Sequence, residues 1–546
     1  MTAPAQPTSD LGATPAGLRL PWLILIVFAS SMCMMVLELV AGRIIAPYVG
    51  VSLYTWTSVI GVVLAGMSLG NYLGGRLADR WASPRLLGIL FLLGGLFSVC
   101  ILLIEKMGVS LPDAWPIVLR ILVLTAALFF LPSVLLGMVS PVVAKLAVHD
   151  LAKTGSTVGR ISAAATLGSI VGTFVTGFVL ISLFGTRLIV WGVAVVLFAM
   201  AAILLLGRSR KGLLPLVILA GAILAGASIL ASAQGWLKSS CTLETNYFCI
   251  KVRDDSRNGK PVRVLILDRL VHSYSSLDDP TQLVYGYEQV YAEATAYQAL
   301  HHDPLRALFI GGGGYTFPRY MEAVYPDSKL DVIEIDPGVT EVAYDLLGLR
   351  HDSPITTYNE DARMFLAKQP DTKYDLIMGD AFNDYSVPYH LTTLEFNERA
   401  KAWLSDGGLY MVNLIDGPRR DFLRAYINTL GHTFSHVYVV PAVRSWRESP
   451  RVTFVLIATD TPLDPAAFKK IDAGDGETFF AEQILDAAAV DALLAEGPAI
   501  VLTDDYAPVD QMLAPVARGE EVRPGNPKTG QGSSVSKPSL PTTAPQ

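Results

Sequence analysis

Charge is scarce in this sequence. Of its 546 residues, 17% are Asp, Glu, Lys or Arg and 51% are hydrophobic. With a positive mean hydropathy as well, that balance excludes one ordinary soluble globule and implies a membrane protein carrying a soluble part. Basic residues are not in excess either. With 42 Lys and Arg against 49 Asp and Glu, the formal net charge is −7. No basic domain is left to neutralise phosphates, which argues against a general nucleic-acid binder. Cysteine is rare, and four residues are too few for a disulfide scaffold. Cys33 and Cys100 lie in apolar runs and read as small core residues. Cys241 and Cys249, in CTLETNYFCIKV, either face each other or are two unrelated thiols. A Walker-type phosphate loop is missing, because no glycine run leads into GK[ST].

What is present divides near residue 235. Before it, apolar runs long enough to span a bilayer, roughly 20 residues each, fall near 21–41, 55–75, 85–105, 117–139, 160–182, 187–206 and 213–233. The first is too long and too polar at its far end, LELVAGRIIAPYVG, for a cleaved signal peptide. Basic residues collect in alternate loops: Arg76, Arg80 and Arg85; Lys145, Lys153 and Arg160; Arg208, Arg210 and Lys211. By the positive-inside rule these loops and the N-terminus are cytoplasmic, and seven spans then leave the soluble part on the outer side. An even number of spans would put it inside. Glu38 and Arg43 are costly in an apolar stretch and call for a partner, either a structural ion pair near the membrane surface or a wet path.

After residue 235 the pattern shortens. YFCIKV and VRVLILD alternate around the polar turn DDSRNGK, predicting a β-hairpin subdomain over 236–280. A helix is expected over roughly 281–301. Strands and helices then alternate through ALFIG, FPRYMEAVY, LDVIEID, GVTEVAYDLL, ITTYNED, ARMFLAK and YDLIMGD, with YMVNLI, VYVVPAV and VTFVLIA as later strands. Such spacing predicts βαβ units on a parallel sheet, an α/β Rossmann-like domain over 281–516. Residues 1–20 are expected to be flexible, and 517–546, rich in Gly, Pro, Ser and Thr, to be disordered.

Ligands of such a sheet sit beyond the carboxyl ends of the strands. Those ends carry Gly311, Gly312, Gly313 and Gly314, then Glu334 and Asp336, then Asp361, then Asp380. A dinucleotide fingerprint would place a third glycine where Thr316 stands, and no Lys or Arg immediately follows the turn to meet a pyrophosphate. An adenosine ligand without phosphate fits better. A carboxylate at Glu334 can accept from both ribose hydroxyls. Asp336, beside Pro337, reads as a helix-start residue.

Taken together, GGGGY, VIEID, EDAR and YDLIMGDAF, preceded by LILDRLVHSY and YGYEQV, resemble the spermidine synthase family of aminopropyltransferases over about 240–510. ELVAGRIIAPYVG, VPYHLTTLEF, LTDDYAPVD and the loop GGRLADRWASPR, which is similar to a cytoplasmic loop of major facilitator transporters, resemble the membrane-fused branch. The resemblance implies a class I methyltransferase-type fold and aminopropyl transfer from decarboxylated S-adenosylmethionine to an amine such as putrescine. No tightly bound cofactor or metal is implied, and the expected partners are the lipid bilayer, the small-molecule amine and donor, and a homo-oligomer. It implies Glu334 at the ribose, Asp361 and Ala362 at the adenine, Asp380 as the catalytic carboxylate, Tyr287 at the amine, and His272 and Glu288 beside the donor. The departures are as informative. The family's GGGDG reads GGGG here, so Gly314 stands where an aspartate would meet the donor's amino group. His272 replaces a donor-binding glutamine, and D-A-F-N-D leaves Asn383 or Asp384 as the second acid-loop residue. Two further readings stay open: S-adenosylmethionine itself as donor to a membrane-embedded acceptor, and a non-catalytic polyamine or nucleoside sensor or transport module.

Overall fold

A computed structural model describes residues 19–106, 115–148, 151–206, 213–257, 259–381, 387–468, 471 and 483–513. Nearly all of the expected flexible N-terminus and the whole expected tail lie outside the described residues, as do Asn383 and Asp384.

Among the described residues, six helices are long and apolar enough to cross a membrane: α1 (Leu20–Val49), α2 (Leu53–Trp81), α3 (Pro84–Leu103), α4 (Val118–Ala147), α5 (Thr154–Leu183) and α6 (Thr186–Leu205). The seventh expected span is also helical, α7 (Leu213–Ala233), with the side chains of its first nine residues outside the described set. Lipid offers no hydrophobic force between helices, so contact depends on small residues that let backbones approach. Helix α5 meets α1 through Gly168 and Gly172; a Cβ at Gly168 would lie 2.2 Å from the Phe28 carbonyl oxygen. Gly66, Gly70 and Gly74 of α2 meet α4 in the same way; a Cβ at Gly70 would lie 2.3 Å from the Val134 carbonyl oxygen.

The soluble part opens with an antiparallel sheet, β1 (Leu243–Glu244), β2 (Cys249–Arg257), β3 (Lys260–Leu267) and β4 (Leu270–Ser275), so the expected hairpin gains a strand on each side. Cys241 and Cys249 are joined by a disulfide with Cα atoms 5.3 Å apart, closing the turn that contains β1. Strand β4 carries a bulge: Leu265 pairs with Ser273 and Ile266 with Val271, which leaves His272 as the extra residue.

The second sheet has seven strands: β5 (Arg306–Ile310), β6 (Lys329–Ile333), β7 (Thr356–Tyr358), β8 (Tyr374–Gly379), β9 (Leu404–Asp416), β10 (His436–Pro441) and β11 (Val452–Thr459), in the order β10-β11-β9-β8-β5-β6-β7. Strands β5 to β9 pair in parallel, and β10 and β11 pair antiparallel at one edge. Both faces are covered, which is why strands such as ALFI are continuously apolar. Ala307 and Phe309 join one core cluster and Leu308 and Ile310 the other. The expected α/β Rossmann-like fold is present.

Register sets up the site. Ile310 pairs with Ile333 on one side and Gly379 on the other, Ile333 with Tyr358, and Gly379 with Val412. The next residues, Gly311, Glu334, Asp380 and Asn413, therefore emerge along one carboxyl edge.

Candidate active site

The glycine turn is built for close approach. Gly311 has φ of 100°, and a Cβ there would stand 2.5 Å from the Asp380 carbonyl oxygen. Only a residue without a side chain lets β5 and β8 end so near each other. Tyr315, also left-handed at φ of 52°, is fully buried, and its hydroxyl lies 3.1 Å from both Thr340 Oγ1 and Thr357 Oγ1. It props the turn from beneath, against Gly312, whose missing Cβ would touch its ring. The residue after the glycines is thus a structural support.

Glu334 ends β6 and locks this turn. Its Oε2 accepts from the backbone N–H of Gly312 at 2.8 Å and Gly313 at 3.3 Å, and its Oε1 from that of Asp336 at 2.9 Å. Burial raises the pKa of this carboxyl, and the three N–H donors oppose the rise. Three bonds leave lone-pair capacity on the carboxylate for a ribose hydroxyl. Asp336 is the N-cap of helix α8 (Pro337–Leu346), accepting from Gly338 N–H at 2.9 Å, as its place beside Pro337 suggested. Asp361 caps helix α9 (Ala362–Leu366) through one oxygen, and its other oxygen stands 3.2 Å from His390 Nε2. Ala362 is buried beside it.

Asp380 follows β8. Tyr287, from the helix Gly286–Ala299, donates its hydroxyl to Asp380 Oδ2 at 3.1 Å, and Asn413 Nδ2 donates to Oδ1 at 2.8 Å. Burial raises the carboxyl's pKa, and these two bonds pull against it. Glu288 is buried, accepts from Tyr285 N–H at 3.1 Å, and is pushed by burial up to about 8. It is thus largely protonated at neutral pH. His272 is lowered to about 4 by burial and by the Arg451 guanidinium, so the bulge presents a neutral imidazole. Tyr285, Tyr287, Tyr291 and Phe317 form an aromatic ladder with centroids 5.4 to 5.6 Å apart along one wall.

The structure thus brings Tyr287 to Asp380 and Glu334 to the glycine turn, and gathers both pairs on one sheet edge. Gly314 is different. A Cβ there would lie 1.9 Å from Ser273 Oγ on β4, and Ser275 Oγ donates to the Gly314 carbonyl at 3.4 Å. The space an acidic side chain would take is filled by Ser273, whose buried hydroxyl has no partner among the described residues. Sequence reading missed Asn413, Ser273 and His390. A lone amide in the apolar run YMVNLI was the available signal for Asn413; the other two depend on contacts between distant segments.

The glycine turn, the acid at the end of β6 and the half-buried Asp380 lie together on the carboxyl edge of a Rossmann-like α/β sheet, where such sheets bind their ligands. No family model matches the chain. It is similar to a probable polyamine aminopropyl transferase of Bifidobacterium longum, 36% identical over 124 residues, which cover 23% of this chain and 27% of that one. It is also similar to a polyamine aminopropyltransferase of Corynebacterium efficiens, 25% identical over 438 residues, 73% of this chain and 78% of that one. That second alignment is too long to fit after residue 235 and so takes in part of the helical region. A solved structure of a probable spermidine synthase from Corynebacterium glutamicum is 24% identical, with a TM-score of 0.42 over 48% of this chain and 95% of that one. The chain spans only about a quarter of the length of the Bifidobacterium relative. Its resemblance to the polyamine aminopropyltransferases, read first from the strand-end motifs, is borne out by these sequence relatives, which carry transferase names.

Proposed function

We propose that this protein is a membrane-bound aminopropyltransferase that uses a decarboxylated S-adenosylmethionine donor and an amine acceptor. The observation that carries this reading is Asp380, half-buried, hydrogen-bonded by Tyr287 and Asn413, and one register position from the glycine turn. The acceptor arrives as an ammonium. Asp380 accepts one of its protons, and burial, by raising the carboxyl's pKa, makes the carboxylate a stronger base for that step. The freed nitrogen pair forms a C–N bond to the methylene carbon beside the sulfonium. The C–S pair returns to sulfur, discharging its positive charge and leaving methylthioadenosine. Until the proton moves, the carboxylate also holds the cationic amine in line. Glu334 holds the ribose and Asp361 with Ala362 the adenine, as the family pattern implies, while Gly311, Gly312 and Gly313 let the donor rest on backbone.

Ser273 favours a second reading. With Gly314 in place of an aspartate and Ser273 Oγ in the vacated space, the donor tail meets neutral groups there. S-adenosylmethionine itself, acting on a membrane-embedded acceptor, suits such a site. Calorimetry with the full-length protein separates the two. The first reading expects the decarboxylated donor to bind at least about tenfold more tightly, roughly 1.4 kcal/mol; the reverse preference sinks it and favours the second.

The soluble domain is proposed to lie outside the cytoplasm. Six helices long and apolar enough to span, the further helix Leu213–Ala233 counted as a seventh, and basic alternate loops support this, as does the Cys241–Cys249 disulfide, since such bonds persist in oxidising compartments.

A further inference from the structure

We infer that the membrane region helps build the nucleoside site, through Arg43 of α1 acting as a positioning residue. An ion pair with Glu38 was one expectation for Arg43. Instead its guanidinium crosses to the soluble part, donating to the Asn246 carbonyl at 2.6 Å and to the Thr245 carbonyl. From there the bonds are continuous. The Thr245 hydroxyl donates to Asp336 Oδ2 at 2.5 Å. Asp336 N–H donates to Glu334 Oε1, and Glu334 Oε2 holds the N–H groups of Gly312 and Gly313. One end of this chain is a membrane helix and the other is the turn against which a donor would rest.

The fit around Thr245 is close enough to transmit position. A Cβ at Gly338 would stand 2.3 Å from Thr245 Cγ2, so the turn seats directly on the first residues of α8. The same turn is closed by the Cys241–Cys249 disulfide. It is gripped from a second membrane helix too, where Thr186 N–H at the start of α6 donates to Glu244 Oε2 at 2.8 Å. An anchor alone would need one covalent connection and no such clamp. With both carbonyls of the turn held by a fork of fixed geometry, Thr245 has one orientation and Asp336 one rotamer. Glu334 then stays aligned for both the glycine turn and the ribose.

This inference rests on the nucleoside-site reading, and the experiment separates the two. Binding of S-adenosylhomocysteine and methylthioadenosine is measured by calorimetry on the full chain in nanodiscs. If the unaltered protein binds neither, the nucleoside reading itself fails. If it binds, Arg43→Ala is expected to weaken affinity about tenfold or more, and Thr245→Val by a similar factor. The double variant should be no worse than either single one, because both break one chain of contacts. In turnover, donor KM should rise while kcat at saturating donor stays within about twofold, whereas general misfolding would lower kcat by lowering the active fraction. Should Arg43→Ala not fold, Thr245→Val decides alone, since it keeps the carbonyls that Arg43 grips. Unchanged nucleoside affinity in a folded Thr245→Val variant, or additive losses in the double variant, would overturn the inference.

Discussion

Asp380 is held by two donors, and their removal has a calculable direction. Burial raises its pKa while Asn413 and Tyr287 lower it. With the ionised form as the proposed base, activity should fall as pH drops through that raised pKa. Asn413→Leu removes a donor that favours the charged form. The acid limb of the rate profile should therefore move to higher pH, and kcat at low pH should drop. A limb that stays in place would mean that another group titrates. Asn413 also shows where sequence reading ran out. Gly311, Glu334 and Asp380 were legible because each ends an apolar strand, and strand ends are where such sheets bind ligands. Asn413 lies inside the apolar run of β9, and only the pairing of Gly379 with Val412 reveals that it adjoins Asp380. Ser273 could not be read at all, because its meaning depends on β4 lying across the glycine turn.

At the scale of elements, the long apolar helices were visible as apolar runs, but their packing was not. Nothing in hydropathy separates Gly168, which would drive a Cβ to 2.2 Å from the Phe28 carbonyl, from Gly75, which has open space around it. The backbone carbonyl cannot yield as a flexible side chain can, so Gly168→Leu must push α5 off α1. Overpacking of this kind costs about 1–3 kcal/mol. The variant should melt measurably lower in detergent than the parent, while Gly75→Leu should melt within a degree or two. Equal melting temperatures would contradict the close helix contact. In the soluble part, the alternation of strands and helices was plain from the sequence. The second hairpin, β3 with β4, was legible in LILDRLVHSY, but β1 and the bulge at His272 were not, since β1 is short and a bulge leaves no periodic mark.

Across the whole molecule, the open question at the sequence level was which side of the membrane carries the soluble domain. The proposed outer side rests on the disulfide between Cys241 and Cys249 and on counting the helix Leu213–Ala233 as a seventh span. A reporter that is active only outside the cytoplasm, fused after residue 235, should be active, and Cys241 and Cys249 should resist alkylation in intact cells until a reductant is added. An inactive reporter with both thiols freely alkylated would place the domain inside. The same region gives Arg43 its place. Buried cost alone said that it needed a partner, and the fold identifies that partner as the turn that seats on Asp336, behind the glycine turn.

The central claim, aminopropyl transfer with Asp380 as base, is tested most directly by product analysis. Purified full-length protein is incubated with decarboxylated S-adenosylmethionine and a panel of amines, and methylthioadenosine is quantified. The account predicts methylthioadenosine in equal amount to an aminopropylated amine. It further predicts a fall of at least about 100-fold in Asp380→Asn, the scale of a lost general base, with nucleoside binding retained. No methylthioadenosine with any amine, or full turnover in Asp380→Asn, would contradict it.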